Sequence, residues 1–189
     1  MRKFSDKANA RLVFMQGDKN ASYLLHLYNI FQEYVITPPK INQVKNKITG
    51  ELRCNLSFAT LALPCFNELY ELFYISKSGK KIKIIPNNIG DLLTPVSLAY
   101  WIMDDGSFTG SGLKLHTDAF SIKELNLLVE AMEKNFGLFV TIQISNREKL
   151  QNTLYISKKQ MPLLKELVIK YIHPSMLYKL NIWPEEPKV

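Results

Sequence analysis

The sequence predicts a mixed α/β (α+β) fold made of two related halves, the first of them incomplete. Three observations carry that reading. Apolar residues recur at helical spacing in separate stretches, as Tyr23, Leu24, Leu27, Tyr28, Ile30 and Phe31 do, and again Leu125, Leu128, Val129, Met132 and Phe136. Short runs between such stretches alternate apolar and polar residues, as residues 51–58 do. The order strand, helix, strands, helix then occurs twice, about 85 residues apart. Residues 1–93 are expected to form a first, truncated repeat, 94–182 a second repeat that opens with its own helix (94–105), and 183–189 a tail.

In chain order, residues 1–9 are polar and read as loose, and residues 10–16 (ARLVFMQ) read as a strand. A helix opens near Asp18 or Asn20 and ends near Tyr34, because Thr37-Pro38-Pro39 cannot continue it. Residues 41–47 are polar and basic, an edge strand. In residues 51–58, Leu52, Cys54, Leu56 and Phe58 take one face and Glu51, Arg53, Asn55 and Ser57 the other. After Pro64 a helix carries Phe66, Leu69, Tyr70, Leu72 and Phe73, and a basic turn follows at residues 77–83. Thr94 is a good N-cap, Pro95 suits the first helical position, and Gly106 is the glycine expected just past a helix end. Residues 107–119 form a strand pair or one bent strand, with Lys114, His116 and Asp118 alternating with Leu113, Leu115 and Thr117. Ser121 and Glu124 make a capping box for the next helix. Residues 139–145 turn Val140, Ile142 and Ile144 inward and Thr141 and Gln143 outward. A charged turn (146–151), a strand (153–157) and an amphipathic helix (160–171) follow, and the tail after Trp183 is irregular.

The bulk numbers narrow the function. A formal charge of +7 and a pI of about 9.3 favour nucleic acid or an anionic surface as partner. Thirteen Lys and Arg face seven Asp and Glu before Thr94, against eleven and ten after it, so most of the excess lies in the first half. No apolar run is long enough to span a bilayer, and the N-terminus lacks an apolar signal core, so neither a membrane-spanning nor a secreted protein is expected. Cys54 and Cys65 have no metal-type spacing and make no disulfide framework.

The chemistry concentrates at residues 98–106. A helix C-terminus carries partial negative charge, so Asp104 and Asp105 are each unfavourable there by roughly 0.3–1 kcal/mol. Two carboxylates held against the dipole call for an external positive charge, most simply a divalent metal with oxygen ligands. A plain Asp-Asp-Gly turn after a core helix is the other explanation.

The stretch Leu98-Ala99-Tyr100-Trp101-Ile102-Met103-Asp104-Asp105-Gly106 resembles the motif that names the LAGLIDADG homing endonucleases. Its flanks, Ile85-Pro86-Asn87-Asn88, Leu93-Thr94-Pro95 and Met176-Leu177-Tyr178-Lys179-Leu180, resemble two-repeat members encoded in organellar group I introns, and the likeness covers about residues 10–180. The resemblance implies two αββαββα repeats whose motif helices pair at a pseudo-twofold axis. Their acidic ends would meet over the DNA minor groove and hold Mg²⁺ for phosphodiester hydrolysis, with the sheets along the major groove. It implies Asp105 as the metal-binding acid, Asp104 as its neighbour, and Lys83 and Lys179 as basic residues flanking the site. The outward residues Arg53, Asn55, Ser57, Lys114, His116, Thr141, Gln143, Thr153 and Tyr155 would face nucleic acid. Lys80 and Lys81 of the basic turn would also bind nucleic acid, and Arg147, Lys149, Lys158 and Lys159 would add contacts to phosphates, which give affinity but little sequence information. His26 and His173 read as structural. The family origin implies an organelle, the mitochondrion before the chloroplast.

The sequence departs from that pattern in holding one motif, in mid-chain, with Tyr100 at a usually small position. Three arrangements answer the departure: a true start lying upstream, a second polypeptide that supplies the missing motif helix, or a catalytically degenerate chain that binds structured RNA as an intron maturase or organellar ribosome component.

Overall fold

The computed structural model describes residues 1–5, 7–45, 50–149 and 151–183, with the side chain of Val44 excepted. The end of the expected edge strand (46–47) with residues 48–49, turn residue 150 and the tail from 184 lie outside the described residues. The chain divides into two compact units, Met1–Leu72 and Phe73–Val189.

In the first unit, β1 (Val13–Gly17) leads into α1 (Ala21–Phe31), which 3-10 turns extend at both ends (Asp18–Asn20 and Gln32–Tyr34). Then come β2 (Lys40–Lys45), β3 (Leu52–Ala59) and α2 (Cys65–Phe73). The strands form an antiparallel sheet in the order β1-β3-β2. Its inner face is set by aromatic pairing. Phe14 and Phe58 are register partners with ring centroids 4.8 Å apart, and Phe31 and Tyr28 of α1 close on them at 5.1 and 5.6 Å. Phe58 thus takes the inner face expected of it, while Leu52, expected on the same face, is 64% exposed.

The second unit opens with a two-stranded hairpin, β4 (Tyr74–Lys77) and β5 (Lys80–Lys83), where the sequence suggested only a basic turn. Ser78 (φ 50°) and Gly79 (φ 75°) both sit in the left-handed region, which is the two-residue turn that matches strand twist. A short helix α3 (Ile89–Leu92) precedes α4 (Pro95–Asp105), β6 (Gly106–Phe108), β7 (Leu113–Leu115), α5 (Ile122–Phe136), β8 (Val140–Asn146), β9 (Gln151–Ile156) and α6 (Met161–Val168). From α4 onward the order is αββαββα. The four strands are antiparallel in the order β6-β7-β9-β8, so residues 107–119 are a strand pair rather than one bent strand. The core lies between this sheet and the helices: Leu113, Leu115, Leu154 and Ile156 below, Leu98, Ile102, Leu125, Met132 and Leu164 above, all fully buried.

The sheet orders β1-β3-β2 and β7-β9-β8 are the same order repeated. Equivalent strands begin at Val13 and Leu113, and at Lys40 and Val140, 100 residues apart in each case. A spacing of 85 sets the first strand against the motif helix; strand against strand corrects it to 100. At the place of β6 the first unit has a single antiparallel bridge, Arg2 to Arg11.

Two local devices shape the second unit. Gly106 ends α4 in extended backbone (φ −80°, ψ 148°), not the left-handed turn expected of a glycine past a helix end. What it supplies is room: a Cβ there would stand 2.5 Å from the Ile102 carbonyl oxygen. Gly106→Ala should cost about 1–3 kcal/mol in a denaturant titration, because backbone must move to admit the methyl. The other device is the cap of α5. The Glu124 carboxylate accepts from the Ser121 N–H (2.8 Å), the Ser121 hydroxyl (2.6 Å) and the Ile85 N–H (3.1 Å). Burial pushes this carboxyl up, but the three hydrogen bonds together outweigh it and hold it below 4.5. A carboxyl lowered in the folded state stabilises above its unfolded pKa, and that stability disappears as pH falls through the folded value. Melting temperature measured as pH falls through and below 4.5 should therefore drop more steeply for the wild type than for Glu124→Gln.

Candidate metal-bearing helix end and nucleic-acid face

Helix α4 is aimed by its two ends. At the start, the Thr94 hydroxyl accepts from the Ser97 N–H and the Ser97 hydroxyl accepts from the Thr94 N–H, with Pro95 in the first turn. The stripe Leu98, Ala99, Ile102 and Met103 is buried, which leaves Asp104 and Asp105 exposed at the far end. A second stripe, Val96, Tyr100 and Asp104, is spaced four residues apart and only partly covered.

The positive charge wanted at this helix end comes from inside the fold. Lys179, on the 3-10 segment Pro174–Leu180, is buried at 7% exposure. Its ammonium donates to the Met103 carbonyl and, at 3.2 Å, to the Asp104 carbonyl. These are orphan acceptors of the last helical turn. Burial lowers the Lys179 pKa from 10.5, and the nearby Asp104 and Asp105 carboxylates pull partly the other way. His173 anchors the segment: its Nδ1 accepts from the Ser175 N–H (3.3 Å), and its own N–H donates to the Met103 sulfur (3.2 Å). His173 is thus structural, as the sequence suggested.

Asp104 and Asp105 offer two adjacent hard oxygen donors on a surface. Among the described residues no group of three or more His, Cys, Asp or Glu side chains gathers that could enclose an ion. Two carboxylates without a cage suit a cation that keeps several waters and completes its shell with substrate phosphate, as Mg²⁺ does. Carboxylate oxygens such as those of Asp105 and Asp104 are the donor type that ion takes. Lys83, exposed at the end of β5, lines the same cavity of about 200 Å³ as Asp105, with Ser97, Trp101 and Phe120. Its ammonium lies 5.8 Å from the Phe120 ring centre.

Next to the helix end lies the outward face of the four-stranded sheet. Ser107 pairs with Lys114, Lys114 with Tyr155, and Tyr155 with Thr141, so one row of side chains crosses all four strands. Three of the four were legible as outward-facing; Ser107 was not, although it directly follows the motif glycine. Tyr155 is steadied by Ser111 (hydroxyls 3.2 Å apart) and rests over Gly112, where a Cβ would come within 2.7 Å of its oxygen. Gln143 pairs with Thr153 in the next row. Thr153 does not present itself to a ligand: it is 2% exposed, and its hydroxyl has no partner among the described residues. Its neighbours on that face cover it, which alternation alone cannot show. His116 ties the row to the helix. Its N–H donates to the Asp105 carbonyl (3.0 Å), its Nε2 meets the Ser107 hydroxyl (3.0 Å), and its Nδ1 lies 3.9 Å from Asp118, which in turn accepts from Ser145.

The remaining candidates are more scattered. Arg147 and Lys149 are exposed in the turn after β8, where the Asn146 side chain accepts from the Lys149 N–H (2.9 Å). Lys158 and Lys159 are exposed in the 3-10 turn before α6, past the end of β9 and outside the row. Lys80 and Lys81 are exposed on β5. In the first unit, Ser57, Asn55 and Arg53 share the outward face of β3 with Lys40 and Asn42, the β2 partners of Ser57 and Asn55. Asn42 donates to Ser57 (2.8 Å), and Arg53 lies 3.3 Å from Glu51. Lys40 and Asn42 were missed because an edge strand of mixed polarity shows no face in sequence.

From α4 onward the second unit is thus an αββαββα unit whose leading helix ends in two carboxylates beside a polar sheet face. The model of the LAGLIDADG DNA endonuclease family matches residues 1–164, and the chain belongs to that family. It is 37% identical over 175 residues to the cytochrome b mRNA maturase bI2 of Saccharomyces cerevisiae, covering 90% of this chain and 41% of the relative. It is 37% identical over 155 residues to the intron-encoded endonuclease ai4 of Dictyostelium discoideum, covering 82% and 91%. Among solved structures, the homing endonuclease I-WcaI bound to its DNA recognition sequence superposes with a TM-score of 0.83 at 31% identity, over 95% of this chain and 78% of that one. The chain spans less than two thirds of the two bI2 maturases it matches, 41% of that from Saccharomyces cerevisiae and 64% of that from Debaryomyces hansenii.

Proposed function

We propose that the chain is part of a site-specific endonuclease that binds duplex DNA through its outward sheet faces and hydrolyses phosphodiesters with a divalent ion, Mg²⁺, held at Asp105 and Asp104. The observation that carries this is the junction itself: the acidic end of α4 passes at Gly106 straight into the row Ser107, Lys114, Tyr155 and Thr141. The ion, when bound, supplies Lewis-acid stabilisation of the attacking and leaving oxygens. Asp105 and Asp104 hold it. Lys83 offers positive charge beside Asp105 to a phosphate. Lys179 is a positioning residue, because its ammonium is engaged by backbone carbonyls. The row reads or grips the duplex, with Gln143 and His116 beside it and Asn42, Asn55 and Arg53 on the first unit. The second acid of the family chemistry comes from another segment or another polypeptide, packed on the partly covered stripe Val96, Tyr100 and Asp104. In this reading α4 opens the second repeat, with the repeat boundary at 93/94.

A second reading, binding of intron RNA as a maturase, is favoured by the 37% identity to a cytochrome b mRNA maturase. Both readings place the protein in an organelle, the mitochondrion first. The test is a plasmid library incubated with the purified chain and Mg²⁺, alone and with a polypeptide carrying a second motif helix, alongside a filter-binding assay on group I intron RNA. Cleavage that EDTA abolishes supports the endonuclease. Tight RNA binding without cleavage in any arm replaces it with the second reading.

A further inference from the structure

The hairpin β4–β5 carries four lysines, Lys77, Lys80, Lys81 and Lys83, and no acidic residue within residues 74–83. Between Phe73 and Val189, Lys and Arg outnumber Asp and Glu by 15 to 11, so these four lysines equal the whole positive excess of the second unit. Without the hairpin, residues 73–189 carry eleven Lys and Arg against eleven Asp and Glu. All four lysines are exposed, and they are distributed over both faces of the ribbon: Lys81 and Lys83 share one with Ser76 and Tyr74, Lys77 and Lys80 the other with Ile75 and Ile82. The tight left-handed turn at Ser78-Gly79 fixes the ribbon's register.

A ribbon of this kind has charge without readout. Lysine is a flexible point charge, suited to phosphate rather than to a base edge. The hairpin offers no amide, guanidinium or carboxylate that could discriminate bases. We propose that β4–β5 is a separate grip on the DNA phosphate backbone, which supplies sequence-independent affinity to a unit whose remaining residues carry no net charge. This rests on the duplex-binding reading above and adds a division of labour to it: strands β6 to β9 discriminate, and the hairpin holds.

The test uses the full chain with a fluorescent DNA duplex of random sequence, titrated over a range of salt. The triple variant Lys77→Gln, Lys80→Gln, Lys81→Gln leaves Lys83 beside Asp105 untouched. It should make the slope of log affinity against log salt shallower by about 2.7, at about 0.9 for each phosphate no longer neutralised, and weaken binding by on the order of 10- to 100-fold near physiological salt. The matching triple arginine variant should keep the wild-type slope, which separates the removal of charge from a damaged hairpin. An unchanged slope in the glutamine variant, with the wild type still binding, overturns the grip and leaves the duplex reading intact. A wild-type chain with no affinity for the duplex overturns both.

Discussion

Lys179→Met is expected to lower the stability of the second unit by about 1–3 kcal/mol while tightening its hold on divalent cations. Two effects oppose each other in stability. Methionine removes the cost of burying an ammonium, but it leaves the Met103 and Asp104 carbonyls without their donor, and an unsatisfied buried acceptor costs about 1–3 kcal/mol. The carbonyls decide the sign, because the apolar stem packs equally well in either side chain. Cation binding moves the other way, since the substitution takes a positive charge from beside Asp104 and Asp105. Thermal melts with and without Mg²⁺ measure both: a lower melting temperature without metal, and a larger rise on adding it. A variant that melts higher without metal would show that the carbonyls do not depend on Lys179. The pH sign is also fixed. The unfolded lysine binds its proton more readily than the buried one, so stability contributed by this group rises with pH from the lowered folded pKa up to 10.5.

Asp105→Asn should reduce Mg²⁺-dependent cleavage by at least 10²–10³-fold, the scale of losing a group that stabilises the transition state, while leaving duplex affinity equal or tighter. The affinity follows from charge, since the change removes an anion from a surface that must approach phosphates. Stability should barely move. The helix-end term favours asparagine by roughly 0.3–1 kcal/mol, and the missing attraction to the Lys179 ammonium opposes it. Single-turnover cleavage and fluorescence anisotropy on one preparation separate the two results. Full cleavage by the variant would remove Asp105 from the reaction.

Much of this was legible in the sequence because the devices are local. The cap at Thr94, the capping box at Ser121 and Glu124 and the alternation that turns Phe58 inward each need only a few neighbouring residues to declare themselves. What stayed hidden depends on distant partners. The charge that offsets the end of α4 arrives from Lys179, 75 residues away from Asp104. The sequence made that lysine a flanking residue of the active site; that it is buried with its ammonium on backbone carbonyls shows only in the fold. Thr153 alternates as an outward residue yet is covered, since coverage depends on the size of neighbours across the sheet. The hairpin at residues 74–83 passed for a turn because lysines hid the alternation of Ile75 and Ile82.

Gly106 joins α4 to β6 with no intervening loop, and the His116 N–H clasps the Asp105 carbonyl across that join. In the endonuclease proposed above, the backbone that carries the carboxylate and the strand that reads the duplex are therefore one piece, without slack between them. A duplex that fits the strands poorly would displace the acid along with them, so a wrong site would be penalised in turnover as well as in binding. For anyone retargeting such a protein, the strand positions nearest the join, Ser107 and His116, are the least free to vary. Thr141, at the far edge of the row, is the safer place to begin.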